Sequence, residues 1–532
     1  MTVHRFRGAV LLVAATSFFA VGFLTASNAN AAGGSAVVGI DTGSLRGELL
    51  DEASGLTVYR GIPFAAPPVG ERRWKAPQTV AKWEGVRDAK EFGAICPQAP
   101  VLAMVTGETL PETSEDCLFL NVWTATGEGD KPLPVMVWIH GGGLSLGWSN
   151  QIGYDGAAFA GKSVVLVSIN YRLGPLGYLA HPALSKEAGE SGNYGFLDQI
   201  AALQWVERNI ASFGGDPDNV TIFGESAGGT SVHALMASPL AAGLIHRAIA
   251  ESPWVTDTNI RPLRGENGLH DSAEDVGVAW ATTMLGDDAK QTAEALRALD
   301  AGTIITRTAQ GGALGGYEPH VTYGTAFMPE SSEDRYTAGK QNDIPLIAGT
   351  NRNEGTMFMA FQPITDRADF LETLKGVYGD QAEEVAKLYP SKSTEELKVQ
   401  HDRFITDTWF LRGTRRMLLG MDKVSSPAFQ YFFTRVNPEN PAWGAHHAAE
   451  LGYVFNTLQG ENYDETDDRL AALMIDYWVQ FARTGDPNGG GRPAWPQFDG
   501  KKQAYLELGD EVKTGTALER DINDRLEAIR RQ

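Results

Sequence analysis

The chain has 532 residues, of which 43% are hydrophobic and 21% charged, a composition typical of a soluble globular protein with a large core. Its formal net charge of −21 argues against nucleic acid or an anionic membrane as a partner. Such a length could hold several domains, but the sequence has no internal repeat and no low-complexity linker. We therefore expect residues 32–532 to form a single domain.

The N-terminus has the pattern of a secretory signal peptide. Arg5 and Arg7 precede an apolar run over residues 9–24, and residues 27–31 form an A-x-A-like cleavage site. A membrane anchor is the alternative, but the run is shorter than the ~20 apolar residues that a spanning helix needs. Cleavage after residue 31 would leave 43 basic residues (45 less the two arginines) against 66 acidic ones, a net charge of −23. The sequence thus predicts a secreted or periplasmic protein with no membrane association after cleavage.

Cys96 and Cys117 are the two cysteines of the chain. In an exported protein, an even pair that encloses a short loop predicts a disulfide, and a pair of free thiols is the alternative. Because there is no second cysteine cluster, we expect no metal site, and we expect no cofactor.

The first elements in chain order are short strands. Residues 37–50 and 56–59 alternate around turn residues and predict a small antiparallel hairpin, and residues 59–68 are expected to run irregularly over the surface. From residue 118 the chain alternates between strands and helices, and the strand runs are too continuously apolar to have a wet face. The predicted strands are 118–123, 135–139, 164–169, 220–223, 248–250, 346–348, 429–433 and 505–508, and the predicted helices include 196–210 and 467–483. Two helix-rich insertions, about 256–343 and 356–426, are suited to form a lid or a substrate wall.

Residues 156–163 satisfy the phosphate-binding pattern G-x-x-x-x-G-K-[ST]. Such a loop needs a strand before it and a helix after it, so that helix N–H groups face the phosphates. Here a short helical stretch precedes the motif and a strand follows it, and an exported protein would meet little ATP. A P-loop NTPase is therefore only a remote alternative.

Residues 224–228 form a G-x-S-x-G pentapeptide between a predicted strand and a predicted helix. A serine on so tight a turn leaves no room for side chains two residues to either side, which explains the glycines. Ser226 would project its hydroxyl at the head of a helix, where N–H groups and the helix dipole favour negative charge on a reacting oxygen. An ordinary glycine-rich turn is the alternative.

A serine nucleophile needs a base, and the base needs a carboxylate to orient it. In enzymes that carry their nucleophile on a G-x-S-x-G turn between a strand and a helix, the acid and then the histidine follow the serine along the chain, at the ends of later strands. Glu354 follows the strand 346–348 and is the candidate acid, although it could be a plain surface glutamate. Either His446 or His447, in a loop after strand 429–433, could be the base, whereas His401 lies in a polar helical stretch and is expected to be exposed.

His140 and the three glycines after it directly follow the strand 135–139. Glycines let backbone N–H groups approach a carbonyl oxygen without a Cβ in the way, so this loop, with the N–H of Ala227, could form an oxyanion hole. A plain flexible loop is the alternative.

Over nearly all of its length after the leader, the chain resembles the type-B carboxylesterases, the family that includes the cholinesterases. The matching stretches are 213–217 with 224–228, 115–122 and 447–455. The resemblance implies an α/β-hydrolase fold with a mostly parallel central sheet and helices on both faces. It also implies a Cys96–Cys117 bridge and a Ser-His-Glu triad in which His447, not His446, is the base.

The same resemblance implies oxyanion donors at Gly142, Gly143 and Ala227, with supporting roles for Glu225 and Ser252. Two departures from the family pattern are Phe119 in place of a frequent tyrosine, and His320, which could line the acyl pocket. The cholinesterases carry a choline-binding tryptophan within the disulfide loop, but residues 96–117 here contain no aromatic residue.

The sequence therefore predicts a secreted serine hydrolase that cleaves small-molecule carboxylic esters through an acyl-enzyme. The alternative is a non-catalytic binding or adhesion protein on the same scaffold, because the family includes members that have lost the nucleophile. The intact Ser226, Glu354, His447 and glycine loop argue against it.

Overall fold

A large twisted sheet organises the computed structural model, which describes residues 37–125, 131–256, 258–265, 271–309, 316–359 and 364–530. The predicted signal peptide, residues 1–31, lies outside the described residues. The described residues, from Val37 to Arg530, belong to one compact unit. No helix in the described ranges is long and apolar enough to cross a bilayer.

The strands in chain order are β1 (Val37–Ile40), β2 (Gly43–Arg46), β3 (Glu48–Asp51), β4 (Leu56–Pro63), β5 (Val86–Asp88), β6 (Phe119–Thr124), β7 (Leu133–Ile139), β8 (Val165–Ile169), β9 (Gly215–Glu225), β10 (Arg247–Glu251), β11 (Ile260–Pro262), β12 (Val321–Tyr323), β13 (Leu346–Asn351), β14 (Ala428–Phe433), β15 (Ala504–Leu508) and β16 (Lys513–Thr516). The α-helices are α1 (Val101–Thr106), α2 (Ala157–Ala160), α3 (Gly174–Tyr178), α4 (Pro182–Ala188), α5 (Tyr194–Asn209), α6 (Ala227–Ala237), α7 (Ala273–Leu285), α8 (Ala293–Arg297), α9 (Ala301–Ala309), α10 (Ser332–Thr337), α11 (Gly355–Met359), α12 (Arg367–Tyr378), α13 (Ala382–Ala386), α14 (Thr394–Ile405), α15 (Arg412–Met421), α16 (Leu451–Val454), α17 (Glu465–Thr484) and α18 (Arg520–Arg530).

The main sheet has eleven strands in the order β16-β15-β14-β13-β10-β9-β7-β8-β6-β4-β3. All neighbours from β15 to β8 are parallel, whereas β16 at one edge and β6, β4 and β3 at the other pair antiparallel. Parallel strands in a sheet have their carboxyl ends on the same side, so the loops after β7, β9, β13 and β14 meet there. The mostly parallel sheet predicted from the sequence is confirmed.

Both faces of this sheet are covered. Along β7, Val135, Val137 and Ile139 join the core shared with α5 and α6, while Met136 and Trp138 join a second core shared with α17. Side chains alternate between the faces of a strand, so a strand buried on both faces is apolar throughout. This explains the continuous apolar runs of the sequence.

The segment after the first hairpin differs from expectation. Residues 37–46 form β1 and β2 as one hairpin, and β3 pairs with a long β4. The prediction of an irregular surface path from residue 59 is wrong, because β4 continues to Pro63 and Tyr59 and Ile62 are buried. The register shifts between these two residues, and Gly61 has a φ of 62°. A bulge of this kind breaks the period-2 pattern by which a strand is recognised.

The described residues of the second insertion, 356–359 and 364–426, contribute to a small separate core. α12, α13 and α14 pack together, and Ile522 and Leu526 of the C-terminal α18 are buried in the same cluster. The sequence did not predict α18 or β16, which are short and largely polar. The stretch 156–163 has α2 before β8, the reverse of the order that a phosphate-binding loop requires.

Candidate active site

Ser226 lies on a sharp turn between β9, which ends at Glu225, and α6, which begins at Ala227. Its φ of 57° and ψ of −118° are unusual for a residue with a side chain. A Cβ at Gly224 would lie 2.5 Å from the carbonyl oxygen of Ile139, and one at Gly228 would lie 2.0 Å from the same oxygen. Both glycines are therefore required by the close approach of β7.

Backbone hydrogen bonds hold the turn in place. The Ser226 N–H donates to the carbonyl oxygen of Glu251 at 2.9 Å, and the Ser226 carbonyl accepts from the N–H of Thr230 at 2.8 Å. Ala227 is the first residue of α6, so its N–H has no acceptor within the helix and faces outward at the positive end of the dipole.

Glu354 and His447 come together at the carboxyl ends of β13 and β14. His447 Nδ1 donates to Glu354 Oε2 at 2.6 Å, and both side chains are buried. Glu354 Oε1 accepts from Ser252 Oγ and from the N–H of Asn351, each at 2.6 Å. The carboxylate is thus fixed on both oxygens.

His446 takes a different position. Its Nε2 lies 3.1 Å from Asn437 Nδ2, and its Nδ1 lies 2.7 Å from the carbonyl oxygen of His447. The structure therefore pairs Glu354 with His447 and leaves His446 to hold the loop.

The other ring nitrogen of His447 faces the neighbour of the serine. His447 Nε2 lies 3.1 Å from Glu225 Oε1, and no hydrogen bond between Ser226 Oγ and His447 occurs among the described residues. Burial raises the pKa of Glu225 well above its usual range, and the charges of Glu354 and Glu251 raise it further. Histidine–serine contacts are often long in unliganded hydrolases and tighten when substrate binds.

Two more buried carboxyl groups lie close to this centre. Glu251 Oε1 accepts from Trp478 Nε1 at 2.6 Å, and burial raises the pKa of Glu251 to about 8. Glu450 accepts from Asn351 Nδ2, and burial and the neighbouring carboxylates raise its pKa well above its usual range. Sequence reasoning gave neither residue a role, because nothing in a single sequence distinguishes a buried glutamate from an exposed one.

Aromatic rings flank the imidazole. The ring centroids of Phe410 and Phe358 lie 4.5 Å and 5.1 Å from that of His447. Phe410 belongs to a π-helical turn, Thr406–Leu411, between α14 and α15, and Phe358 belongs to α11. Both residues belong to the insertion that was predicted to form a substrate wall.

The glycine loop after β7 lies beside the serine. A Cβ at Gly141 would come within 3.2 Å of Ser226 Cβ and 3.0 Å of Glu225 Oε2. Among the described residues, no acceptor is recorded for the N–H groups of Gly142 and Gly143. Gly142, Gly143 and Ala227, the predicted oxyanion donors, thus lie on the glycine loop and the helix terminus that border Ser226.

Two further histidines are buried. The expectation that His401 is exposed is wrong: α14 buries it beside Phe370, and burial lowers its pKa to about 4. Its apolar neighbours come from a helical insertion whose tertiary packing the polar local sequence does not reveal. His320 is fully buried before β12, with Nδ1 3.0 Å from the carbonyl oxygen of Glu318, and its role in an acyl pocket stays a prediction.

Cys96 and Cys117 form a disulfide, as predicted. In the part of the chain that the structure describes, no group of three or more His, Cys, Asp or Glu side chains is arranged to hold a metal ion.

Comparison with known proteins agrees with the architecture. Residues 34–525 match the carboxylesterase family. The chain is 35% identical to fumonisin B1 esterase of Sphingopyxis macrogoltabida, over 86% of this chain and 84% of that protein. It is 36% identical to para-nitrobenzyl esterase of Bacillus subtilis (strain 168), over 86% of this chain and 92% of that protein.

Solved structures show the same likeness. A PNB esterase structure superimposes with a TM-score of 0.78 at 33% identity, covering 92% of this chain and 99% of that chain. A thermophilic PNB esterase does so with a TM-score of 0.79 at the same identity and coverage. The fold is that of the α/β-hydrolases, and the chain belongs to the carboxylesterase family.

Proposed function

We propose that this protein is a secreted serine hydrolase that cleaves carboxylic esters to acid and alcohol through an acyl-enzyme, with Ser226 as nucleophile, His447 as base and Glu354 as the acid that orients it. The observation that carries the proposal is the 2.6 Å hydrogen bond from His447 Nδ1 to Glu354 Oε2, at the same edge of the sheet as the strained turn of Ser226. This is the arrangement that acyl transfer requires.

In the proposed reaction, His447 Nε2 takes the proton of Ser226 Oγ while that oxygen attacks the ester carbonyl. The N–H groups of Gly142, Gly143 and Ala227 stabilise the resulting oxyanion. When the tetrahedral intermediate collapses, the C–O bond to the alcohol breaks and His447 returns its proton to the leaving oxygen. Water then attacks the acyl-enzyme with His447 again as base, and the acid and free Ser226 are released.

Glu225 and Ser252 would act in support. Ser252 Oγ donates to Glu354 Oε1 and so holds the acid in position. Glu225 Oε1 lies 3.1 Å from His447 Nε2. An ionised Glu225 would stabilise the imidazolium of His447, and a protonated Glu225 would donate a hydrogen bond to the neutral imidazole. Export is supported by the signal-peptide pattern of residues 1–31.

The relatives differ in the esters for which they are named, among them fumonisin B1 and cocaine. We therefore propose a small-molecule ester as substrate without choosing one. A screen of purified protein against esters of varied acyl and alcohol size would identify the preferred class.

Labelling with a fluorophosphonate tests the nucleophile. We expect the probe to modify Ser226, and Ser226→Ala to lower kcat by about 10⁴- to 10⁶-fold while the protein stays folded. Ser231→Ala is a matched control, because Ser231 is also buried in α6 but bonds to the carbonyl oxygen of Ala227. Modification of another serine, or an active Ser226→Ala protein, would refute the assignment and point to another nucleophile. A folded wild-type protein that neither reacts with the probe nor hydrolyses any ester would favour the binding-protein alternative.

A further inference from the structure

The loop that carries the proposed oxyanion donors has a conformation that it cannot maintain without support. Gly142, Gly143, Leu144 and Gly147 all have positive φ, at 105°, 62°, 56° and 105°. For Leu144 this region is sterically costly. Contacts from outside the loop must therefore select this conformation.

Within the loop, the carbonyl oxygen of Gly142 accepts from the N–H groups of Ser145 and Leu146 at 3.1 and 2.9 Å. In a planar trans peptide the C=O and the following N–H point in opposite directions. Because the Gly142 carbonyl is directed into the turn, the N–H of Gly143 is directed out of it. The turn over residues 142–146 thus determines the direction of a proposed oxyanion donor.

Gln98 binds the backbone of Gly147, the residue that follows this turn. Its Oε1 accepts from the N–H of Gly147 at 2.7 Å, and its Nε2 donates to the carbonyl oxygen of Gly147 at 2.8 Å. The same Nε2 lies 3.1 Å from the carbonyl oxygen of Cys96. Gln98 is 6% exposed, so water competes little for these bonds.

The backbone of Gly147 packs closely against the start of the glycine loop. A Cβ there would lie 2.4 Å from the carbonyl oxygen of Gly141 and 2.4 Å from His140 Nδ1. The two ends of the loop are thus in contact, and a shift of Gly147 would be transmitted to Gly141, which borders Ser226. Gln98 itself is anchored two residues from Cys96, which the disulfide joins to the start of β6.

We propose that Gln98 is a positioning residue of the esterase: by its two hydrogen bonds to the backbone of Gly147 it holds the glycine loop so that the N–H groups of Gly142 and Gly143 face the oxyanion. Gln98 touches no reacting atom and acts through the loop. This inference rests on the proposed function, and it adds a role for the disulfide loop in transition-state stabilisation.

Gln98→Met tests the proposal, because methionine has a similar size and flexibility but no amide group. Removing a whole oxyanion donor costs about 10²- to 10³-fold in kcat. We expect the displaced donors of Gln98→Met to lower kcat by about 10- to 100-fold with KM changed less than about threefold. The affinity for a trifluoromethyl ketone, which forms a tetrahedral oxyanion on the serine, should fall by a similar factor. Affinity for the matching methyl ketone, a ground-state analogue, should hardly change.

Gln151→Met is the matched control. Gln151 is 7% exposed, and among the described residues its side chain makes one long hydrogen bond, 3.4 Å, to the carbonyl oxygen of Trp148 in the same region. We expect near-normal kcat and ketone affinity from this control variant. Gln98→Glu provides a second measurement in case Gln98→Met does not fold. In its ionised form this side chain keeps the acceptor for the Gly147 N–H but loses the donor, so at pH 8 and above it should show the same split between kcat and KM.

A kcat within about threefold of wild type in a folded Gln98 variant would overturn the proposal. So would a loss of kcat without a loss of trifluoromethyl ketone affinity. If Ser226→Ala is inactive in the same series, only the role of Gln98 fails, whereas an active Ser226→Ala protein would mean that the proposed function itself is wrong.

Discussion

The carboxyl group of Glu354 accepts three hydrogen bonds, from His447 Nδ1, Ser252 Oγ and the N–H of Asn351. Glu354→Gln keeps the shape of this side chain but puts an NH₂ group in place of one oxygen. If that group faces His447, the ring must take the wrong tautomer to accept from it. We expect kcat/KM to fall by up to ~10⁴-fold with little change in Tm. A loss smaller than tenfold would show that Glu354 does not orient the base.

The two adjacent histidines give a second prediction. His447→Ala removes the proposed base and should abolish measurable ester hydrolysis, whereas His446→Ala removes contacts with Asn437 and the His447 carbonyl oxygen and should retain most of the activity. Steady-state kinetics on both variants, with circular dichroism to verify folding, decides between them. The reverse order of effects would mean that the alignment of this loop is wrong by one residue.

Residues of the site differ in how far the sequence could predict them. Ser226, Glu354 and the glycine loop stand in motifs next to apolar strands, so their positions at one edge of the sheet could be inferred from chain order. Spacing left His446 and His447 open, and only the family resemblance selected one. Glu251 and Gln98 could not be found at all, because their roles depend on Trp478 and Gly147, which lie far away in sequence.

At the scale of elements, the same contrast appears in the strands. β7, β8 and β13 are buried on both faces and were predicted from apolar runs alone. β4 was underestimated because its bulge interrupts the alternation, and α18 was missed because it buries only a few side chains of a polar helix. The local sequence pattern thus predicts an element well where every residue of it is buried in the core. It predicts an element poorly where the element depends on one or two tertiary contacts.

The disulfide loop is an element whose contribution to stability can be measured. Cys96 and Cys117 are separated by 21 residues, and by loop-closure entropy a bridge of this span contributes ~3 kcal/mol. We expect the Cys96→Ala/Cys117→Ala protein to lose about that much unfolding free energy in urea titrations.

Thiol titration of the denatured, unreduced wild type should find no free sulfhydryl. Two free thiols in the exported protein would contradict the bridge.

For the whole molecule, buried ionisable groups make stability depend on pH in two opposite ways. Burial lowers the pKa of His140 to about 4 and that of His233 to about 3. Above the pKa of about 6.5 that histidine has in the unfolded chain, the contribution of these two groups to stability is fully present. It is lost as pH falls through their pKa values in the folded protein. Burial raises the pKa of Glu251 to about 8, so its contribution is present below the unfolded value of about 4.5 and is lost as pH rises toward 8.

Glu251→Gln isolates the second effect, because glutamine resembles the protonated acid and can still accept from Trp478. We expect the unfolding free energy of this variant relative to wild type to increase from pH 5 to pH 8, by at most ~1.4 kcal/mol per pH unit. Urea titrations at pH 5, 6.5 and 8 measure it. Glu372→Gln is the control, because that side chain is 80% exposed. A difference that does not change with pH would mean that Glu251 is ionised in the folded protein throughout this range.

The net charge of the molecule is −21, or −23 after loss of the predicted leader, and could attract cationic esters. Long-range attraction would favour a choline ester, but exposed charges are screened beyond ~8 Å at physiological ionic strength. Recognition of a quaternary ammonium relies on aromatic faces at short range. The disulfide loop supplies none, and Trp148 beneath it is only 1% exposed. At 0.15 M salt we therefore expect kcat/KM for a neutral short-chain ester to exceed that for the choline ester of the same acid. A clear preference for the choline ester would contradict this expectation and direct attention to the ring of Phe358, which lies beside His447, and that of Trp409, 5.3 Å from Phe358.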